Sequence, residues 1–431
     1  MTASSLYRGL TTVAGPLIGL YLRRRLAAGK EDPARFAERF GHAGAARPPG
    51  PLVWLHGASV GEAVSALPLI ERLTGKPGVE VLLTTGTVTS ARLMAERLPP
   101  RARHQYAPVD RPDAVARFLD HWRPDLGLWI ESEFWPNLLA ASRARGTPCV
   151  LVNARISARS FARWRRLPGL IGPLLRGFSL CLAPDSRQAE CLRALGADAV
   201  RVVGNLKSAA APLPADDQAL AVLRAEIGDR PLWLAASTHP GEEAIAAGVH
   251  RALAATRPDL LTVIVPRHPE RGAEIKALLD ERGLTSARRS RGAPIDPAIQ
   301  VYIADTMGEL GVFYRLAPVT FVGGSLVAHG GQNPLEPARL GSAVVVGPRT
   351  HNFADFIAAF AAADALREVA DETHLAATVA GLLDDPAAAR RLGAAGRAVA
   401  LAEARVLDRV EAELAPFIDP LVTAEASRAR A

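Results

Sequence analysis

A chain of 431 residues is too long for one compact core and has the length of two domains. Its balance of 49% hydrophobic and 22% charged residues belongs to a folded protein and excludes a disordered one. The net charge of +7 points to an anionic partner; with 5% aromatics and no arginine–aromatic interleaving, a membrane surface or a phosphorylated substrate fits better than nucleic acid.

The first 30 residues stand apart. They are apolar or neutral from Gly9 to Leu22, interrupted by Pro16, and then meet Arg23, Arg24 and Arg25. The run falls short of the ~20 residues of a spanning helix. Its arginines follow the apolar stretch, the reverse of a signal peptide, and no small-residue cleavage site is evident. The segment reads as a helix lying on the membrane, its arginines on anionic headgroups. The alternative is the buried first helix of a soluble domain.

From residue 50 onward, continuous apolar runs alternate with helical patterns. Strands are expected at 52–56, 79–85, 103–107, 126–131, 148–153, 179–183 and 201–204, then at 231–236, 260–265, 300–304, 319–323 and 343–346. Unbroken runs such as 260–265 mark parallel strands buried on both faces, and βα alternation makes the chain a doubly wound α/β protein. The stretch 208–217, with two prolines and two adjacent aspartates, divides the strands almost evenly. It implies an N-terminal segment 1–30 and two Rossmann-like domains, 31–210 and 211–431, facing a cleft. Cys149, Cys181 and Cys191 lie in apolar segments without C-x-x-C spacing, as small hydrophobes in a reducing compartment do.

Ligands of such sheets bind at the C-terminal ends of strands. The first strand ends in "HGASVGE", where Gly57, Ser59 and Gly61 precede Glu62. Helix-start electrostatics explain a glutamate there, worth about 0.3–1 kcal/mol, but not two glycines flanking a serine. Later strand ends supply Glu131 and Glu133, Arg155, and Lys207. Solvated loop charges are the plain alternative for each. In the second half, "PRHPER" leaves Arg267 and His268 at a strand end, and Gly323, Gly324 and Ser325 follow another, where backbone N–H groups can face a phosphate. Asn333, Pro334 and Glu336 then take the N-cap, N1 and N3 positions of a helix. Glu336 either caps or meets ribose hydroxyls. No lysine-bearing phosphate loop, nucleophile elbow, H-E-x-x-H zinc site or D-x-D pair is present, so metal-free chemistry without a cofactor is expected.

Eight segments together, "HGASVGE" (56–62), "ESEFWPNL" (131–138), "NARIS" (153–157), "GNLK" (204–207), "STHPGEE" (237–243), "PRHPER" (266–271), "DTMGEL" (305–310) and "GGSLVAHGGQNPLEPA" (323–338), resemble the Kdo transferases in order and nearly from end to end. The resemblance implies a GT-B glycosyltransferase that moves 3-deoxy-D-manno-octulosonic acid (Kdo) from CMP-Kdo to a lipid A precursor at the cytoplasmic face of the inner membrane. It implies Glu62 as catalytic base, with Glu131 and Lys207 stabilising the transition state. Arg267, His268, Met307, Gly308, Glu309, Asn333, Pro334, Leu335 and Glu336 become CMP contacts. Ser59, Gly61 and Arg155 become acceptor contacts, Ser59 steadying either the carboxylate or an acceptor phosphate. The arginine-rich segment 157–169 reads as an acceptor loop or a solvated helix. Competing readings are a UDP-sugar transferase or epimerase of the same fold, and a two-lobed binding protein. The last would ordinarily carry a secretion signal, which this sequence does not show.

Overall fold

The computed structural model describes residues 3–209 and 212–428; Ala210 and Ala211, inside the expected linker, lie outside the described residues. The chain divides into two compact units, Met1–Ala210 with Glu403–Ala431, and Ala211–Ala402. Each contains a seven-stranded sheet paired in parallel throughout.

In the first unit the strands are β1 (Leu52–His56), β2 (Glu80–Thr85), β3 (Ala102–Tyr106), β4 (Leu126–Ile130), β5 (Cys149–Val152), β6 (Leu180–Ala183) and β7 (Val200–Val202), in spatial order 3-2-1-4-5-6-7. The order reverses between β1 and β4, whose residues Val53–His56 and Leu126–Trp129 pair in register. Every residue of β1 and β4 is buried, as the unbroken apolar runs require. The second unit holds β8 (Leu232–Thr238), β9 (Leu261–Pro266), β10 (Ser286–Arg288), β11 (Val301–Ile303), β12 (Val319–Val322), β13 (Ala343–Val346) and β14 (Arg367–Glu368), in order 10-11-9-8-12-13-14, with its switch between β8 and β12.

Residues 403–431, expected in the second domain, belong to the first. The helix Val406–Arg428 places Val406, Leu407, Val410, Leu414 and Ile418 in the same core cluster as Val53, Leu55, Leu69 and Ile70. Its polar flank is tied by Arg72 to Asp408 and Glu411 (2.6 and 2.8 Å) and by Lys76 to Glu411 (2.7 Å). The apolar pattern of this helix is equally compatible with either core, so only packing assigns it.

The N-terminal segment forms two helices, α1 (Ala3–Val13) and α2 (Gly15–Ala27), broken next to Pro16. A polar latch seats α1: Asn137 Nδ2 donates to Thr11 Oγ1 at 2.9 Å, and Tyr7 hydrogen-bonds Asp110. Leu22 and Gly15 are buried, yet Leu6, Leu10, Val13 and Leu17 are 54–82% exposed. Among the described residues no helix is long and apolar enough to cross a membrane. Arg23 and Arg24 are exposed, while Arg35 and Arg39 are committed inward. Arg35 grips both oxygens of Glu38 at 2.8 Å, and Arg39 is buried beside Glu31 with a hydrogen bond to the Ala107 carbonyl.

Candidate active site

The turn after β1 answers why a glutamate opens a Gly-rich helix start. α3 (Val60–Gly75) is N-capped by Ser59, whose Oγ accepts the Glu62 N–H at 3.2 Å. In return Glu62 Oε1 accepts the Ser59 hydroxyl at 3.0 Å and Oε2 accepts the Ala58 N–H at 2.6 Å. This is a variant of the capping box, its return bond reaching Ala58 one residue before the N-cap, in which the carboxylate folds back over the turn, pinned in place yet half-exposed. Gly57 is the approach point: a Cβ there would stand 3.2 Å from Glu62 Cβ. Gly61 and Ser59 are exposed beside it.

Across the switch point, β4 ends at Ile130 and Glu131 enters the left-handed region at φ 63°. A non-glycine residue there costs on the order of 1–3 kcal/mol, a strain that clusters at functional sites. Its carboxylate meets Lys207 Nζ at 2.7 Å. Lys207 sits in the short 3-10 turn Leu206–Ala209, held by Asn153 Oδ1 accepting the Leu206 N–H at 3.0 Å, and Asn153 is itself left-handed at φ 56°. So Glu131 and Lys207, far apart in sequence, form one ion pair.

Glu133 was only a loop residue by sequence. Here it completes a group of three carboxylates: burial raises its pKa above the usual 4.5, the charges of Glu62 and Glu131 add to the rise, and the Trp135 indole N–H at 2.7 Å offsets part of it. The Trp135 ring packs edge-on against His56, centroids 5.0 Å apart. His56 is fully buried, bonded to Thr84 Oγ1 at 2.9 Å, and burial holds its pKa down to about 3, so it packs as a neutral ring. Asp110 caps the following helix Pro136–Ala144 by accepting the Asn137 and Leu138 N–H groups at 3.1 and 2.8 Å. The signal for Glu133 in the sequence was its spacing, two residues beyond Glu131 in the same loop. Arg155 is half-buried, and among the described residues no hydrogen bond or ion pair joins it to this group.

In the second unit, His239, His268 and His329 gather at the ends of β8, β9 and β12. The His239 and His329 rings stack with centroids 3.7 Å apart, and His268 lies edge-on to His239 at 6.2 Å. Burial first, then the charges of His329, His268, Arg267 and Arg271, push His239 down to about 4. Arg267 and His268 are exposed, and Arg267 is close enough to Glu336 to act on its charge. Met307 is 82% exposed beside the left-handed Gly308, while Glu309 is tied to Arg289 at 2.7 Å.

Two expectations for the Gly323–Glu336 segment are corrected. The Gly324 and Ser325 N–H groups do not face an open site: they donate to the Glu242 carboxylate at 2.7 and 3.1 Å, and the Gly323 N–H donates to the Ala236 carbonyl. Ser325 is fully buried. The helix spans only Leu335–Arg339, with Pro334 at its N-cap position. It is too short to offer a helix-end anion site. Asn333 still caps from one residue earlier, accepting the Leu335 N–H at 3.1 Å, and its amide donates to Glu336 Oε1 at 3.2 Å.

The family model of 3-deoxy-D-manno-octulosonic-acid transferases matches residues 34–210. A 3-deoxy-D-manno-octulosonic acid transferase of Bordetella pertussis is 39% identical over 94% of this chain and 99% of its own. A probable mitochondrial one of Arabidopsis thaliana is 36% identical over 88% of each. The chain belongs to the Kdo transferase family. As a Kdo transferase it is a glycosyltransferase, and its two parallel sheets are those of the GT-B fold. UDP-GlcNAc 2-epimerase of Neisseria meningitidis, solved bound to UDP-GlcNAc, shares that fold at 15% identity, with a TM-score of 0.56 over 83% of this chain and 99% of its own.

Proposed function

We propose that this Kdo transferase moves Kdo with inversion from CMP-Kdo to the lipid A precursor lipid IVA, without a metal, at the cytoplasmic face of the inner membrane. The observation that carries the reading is the grouping of Glu62, Glu131, Glu133 and Lys207 at the C-terminal edge of the first sheet, where its order reverses. Glu62 takes the proton of the attacking acceptor hydroxyl. A base must be fixed and must keep a free lone pair, and the capping box fixes Glu62 while leaving it half-exposed. Lys207, with Glu131 beside it, steadies charge at the reacting centre. The acceptor sugar lies along Gly61 and Ser59, with Arg155 toward an acceptor phosphate.

On the second unit, Arg267 and His268 face the CMP phosphate, whose charge grows as the glycosidic bond breaks. Met307, Gly308 and Glu309 border the cytosine side, and Asn333 and Glu336 meet ribose hydroxyls. The exposed apolar residues of α1 and α2, with Arg23 and Arg24, suit a leaflet of anionic lipid.

The test is transfer from CMP-Kdo, generated in situ, to lipid IVA with EDTA present, with products weighed by mass spectrometry. Wild type should form product, and Glu62→Gln should lose a factor of about 10² or more. Equal transfer by both proteins removes Glu62 as base. Thermal protection by UDP rather than CMP would turn the reading toward the UDP-sugar enzymes that share the fold.

A further inference from the structure

No residue of the segment "STHPGEE" is given a role in the proposed reaction, yet both of its glutamates are 1% exposed. Glu242 accepts four backbone N–H groups: His239 at 3.0 Å from its own turn, and Gly324, Ser325 and Leu326 at 2.7, 3.1 and 3.1 Å from the loop after β12. Three consecutive amides converging on one point form an anion cradle. Here the occupant is the chain's own carboxylate. All four neighbours are donors, so an amide side chain in its place would set its own N–H₂ against an N–H. Glu243, next in sequence, accepts from Thr238 Oγ1 at 2.9 Å and pairs with Arg271 at 2.6 Å, which fixes the strand end carrying Arg267 and His268.

The loop that Glu242 gathers runs directly into Asn333 and Glu336. Gly331 and Gln332 fold back on it through N–H bonds to the Gly324 and Gly323 carbonyls at 2.8 and 3.0 Å. Gln332 then reaches the His239 ring at 2.9 Å, which stacks on His329 from the same loop. We propose that Glu242 is a positioning residue of the nucleotide site: an internal anion that organises the 323–336 loop, and through it Asn333 and Glu336, without touching the donor. The inference rests on the assignment of CMP to this loop.

The experiment uses the full chain, wild type and Glu242→Ala, measuring CMP affinity, the Michaelis constants for donor and acceptor, and kcat. Removing the carboxylate should weaken CMP and raise the donor KM about tenfold or more, with acceptor KM and kcat near wild type. Formate or acetate, small enough to enter the emptied cradle, should restore CMP affinity in Glu242→Ala and leave wild type unaffected. Acetamide should not. Should Glu242→Ala fail to fold, Glu242→Gln carries the same comparison of donor against acceptor constants. Unchanged CMP affinity in a folded variant, when CMP binds wild type, overturns the proposal alone. Loss of donor and acceptor constants together, with no rescue by formate, also overturns it, since that is general damage. If CMP does not bind wild type, the assignment of the loop falls and this inference with it.

Discussion

Glu133 carries the electrostatic strain of the first site. Its neighbours Glu62 and Glu131 each have a dedicated partner, the capping turn for one and Lys207 for the other, whereas Glu133 is half-buried against the Trp135 indole N–H. A carboxyl whose folded pKa is raised favours the folded state while protonated, and that contribution is lost as pH rises from about 4.5 through the raised value. Glu133→Gln stays neutral at every pH and keeps an oxygen for Trp135. The variant should therefore match wild type in thermal midpoint near pH 4 and exceed it at pH 7, a difference that calorimetry at the two pH values measures. If Glu133 also shapes the field around the base, the same variant should lower transfer and shift the pH–rate profile. The sequence displayed Glu62 and Glu131 through their places at strand ends. It did not display Glu133's partial burial or the four-amide environment of Glu242, because both depend on chain segments that meet only in three dimensions.

Among the elements, α1 and α2 are the least explained by packing within their own unit. They are docked by Tyr7, Thr11 and Leu22, and they turn Leu10 and Val13 outward at 61% and 82% exposure. Leu10→Asp with Val13→Asp removes no core contact, so the thermal midpoint should stay within a few degrees, the shift expected of surface changes. Flotation with anionic vesicles should fall sharply, because each apolar side chain taken out of the interface gives up about 1.5–3 kcal/mol. Unchanged flotation would assign membrane contact to another face. Twelve strands were legible, most of them as apolar runs. The two that were not, β10 and β14, are sheet edges of three and two residues built from Ser286–Arg288 and Arg367–Glu368, whose partial exposure leaves no apolar signature.

At the scale of the whole molecule, the first unit is discontinuous in sequence. Leu414 is fully buried in the core cluster that contains Val53 and Ile70. Leu414→Ala should cost about 2–5 kcal/mol, and the loss should appear in the unfolding of the first unit while CMP protection of the second persists. Loss of CMP protection instead would place this helix's contribution in the second unit. The sequence could not supply this assignment, since the stretch 208–217 looks like the single passage between domains and nothing in the apolar periodicity of Val406–Arg428 selects a core. That Asn333 binds a backbone N–H at this helix start was legible, because it joins neighbours in the chain, but its position was one residue off, since Pro334 and not Asn333 is the N-cap.

The same helix sets an order of assembly during translation. Residues from Glu403 onward leave the ribosome only after the roughly 190 residues of Ala211–Ala402 have been made. At about 5–20 residues per second that interval is about 10–40 s. Throughout it the nascent first unit exposes the surface that Leu414 and Ile418 will cover. The unit begun first is therefore completed last, and the interval is one in which a chaperone has an apolar surface to hold.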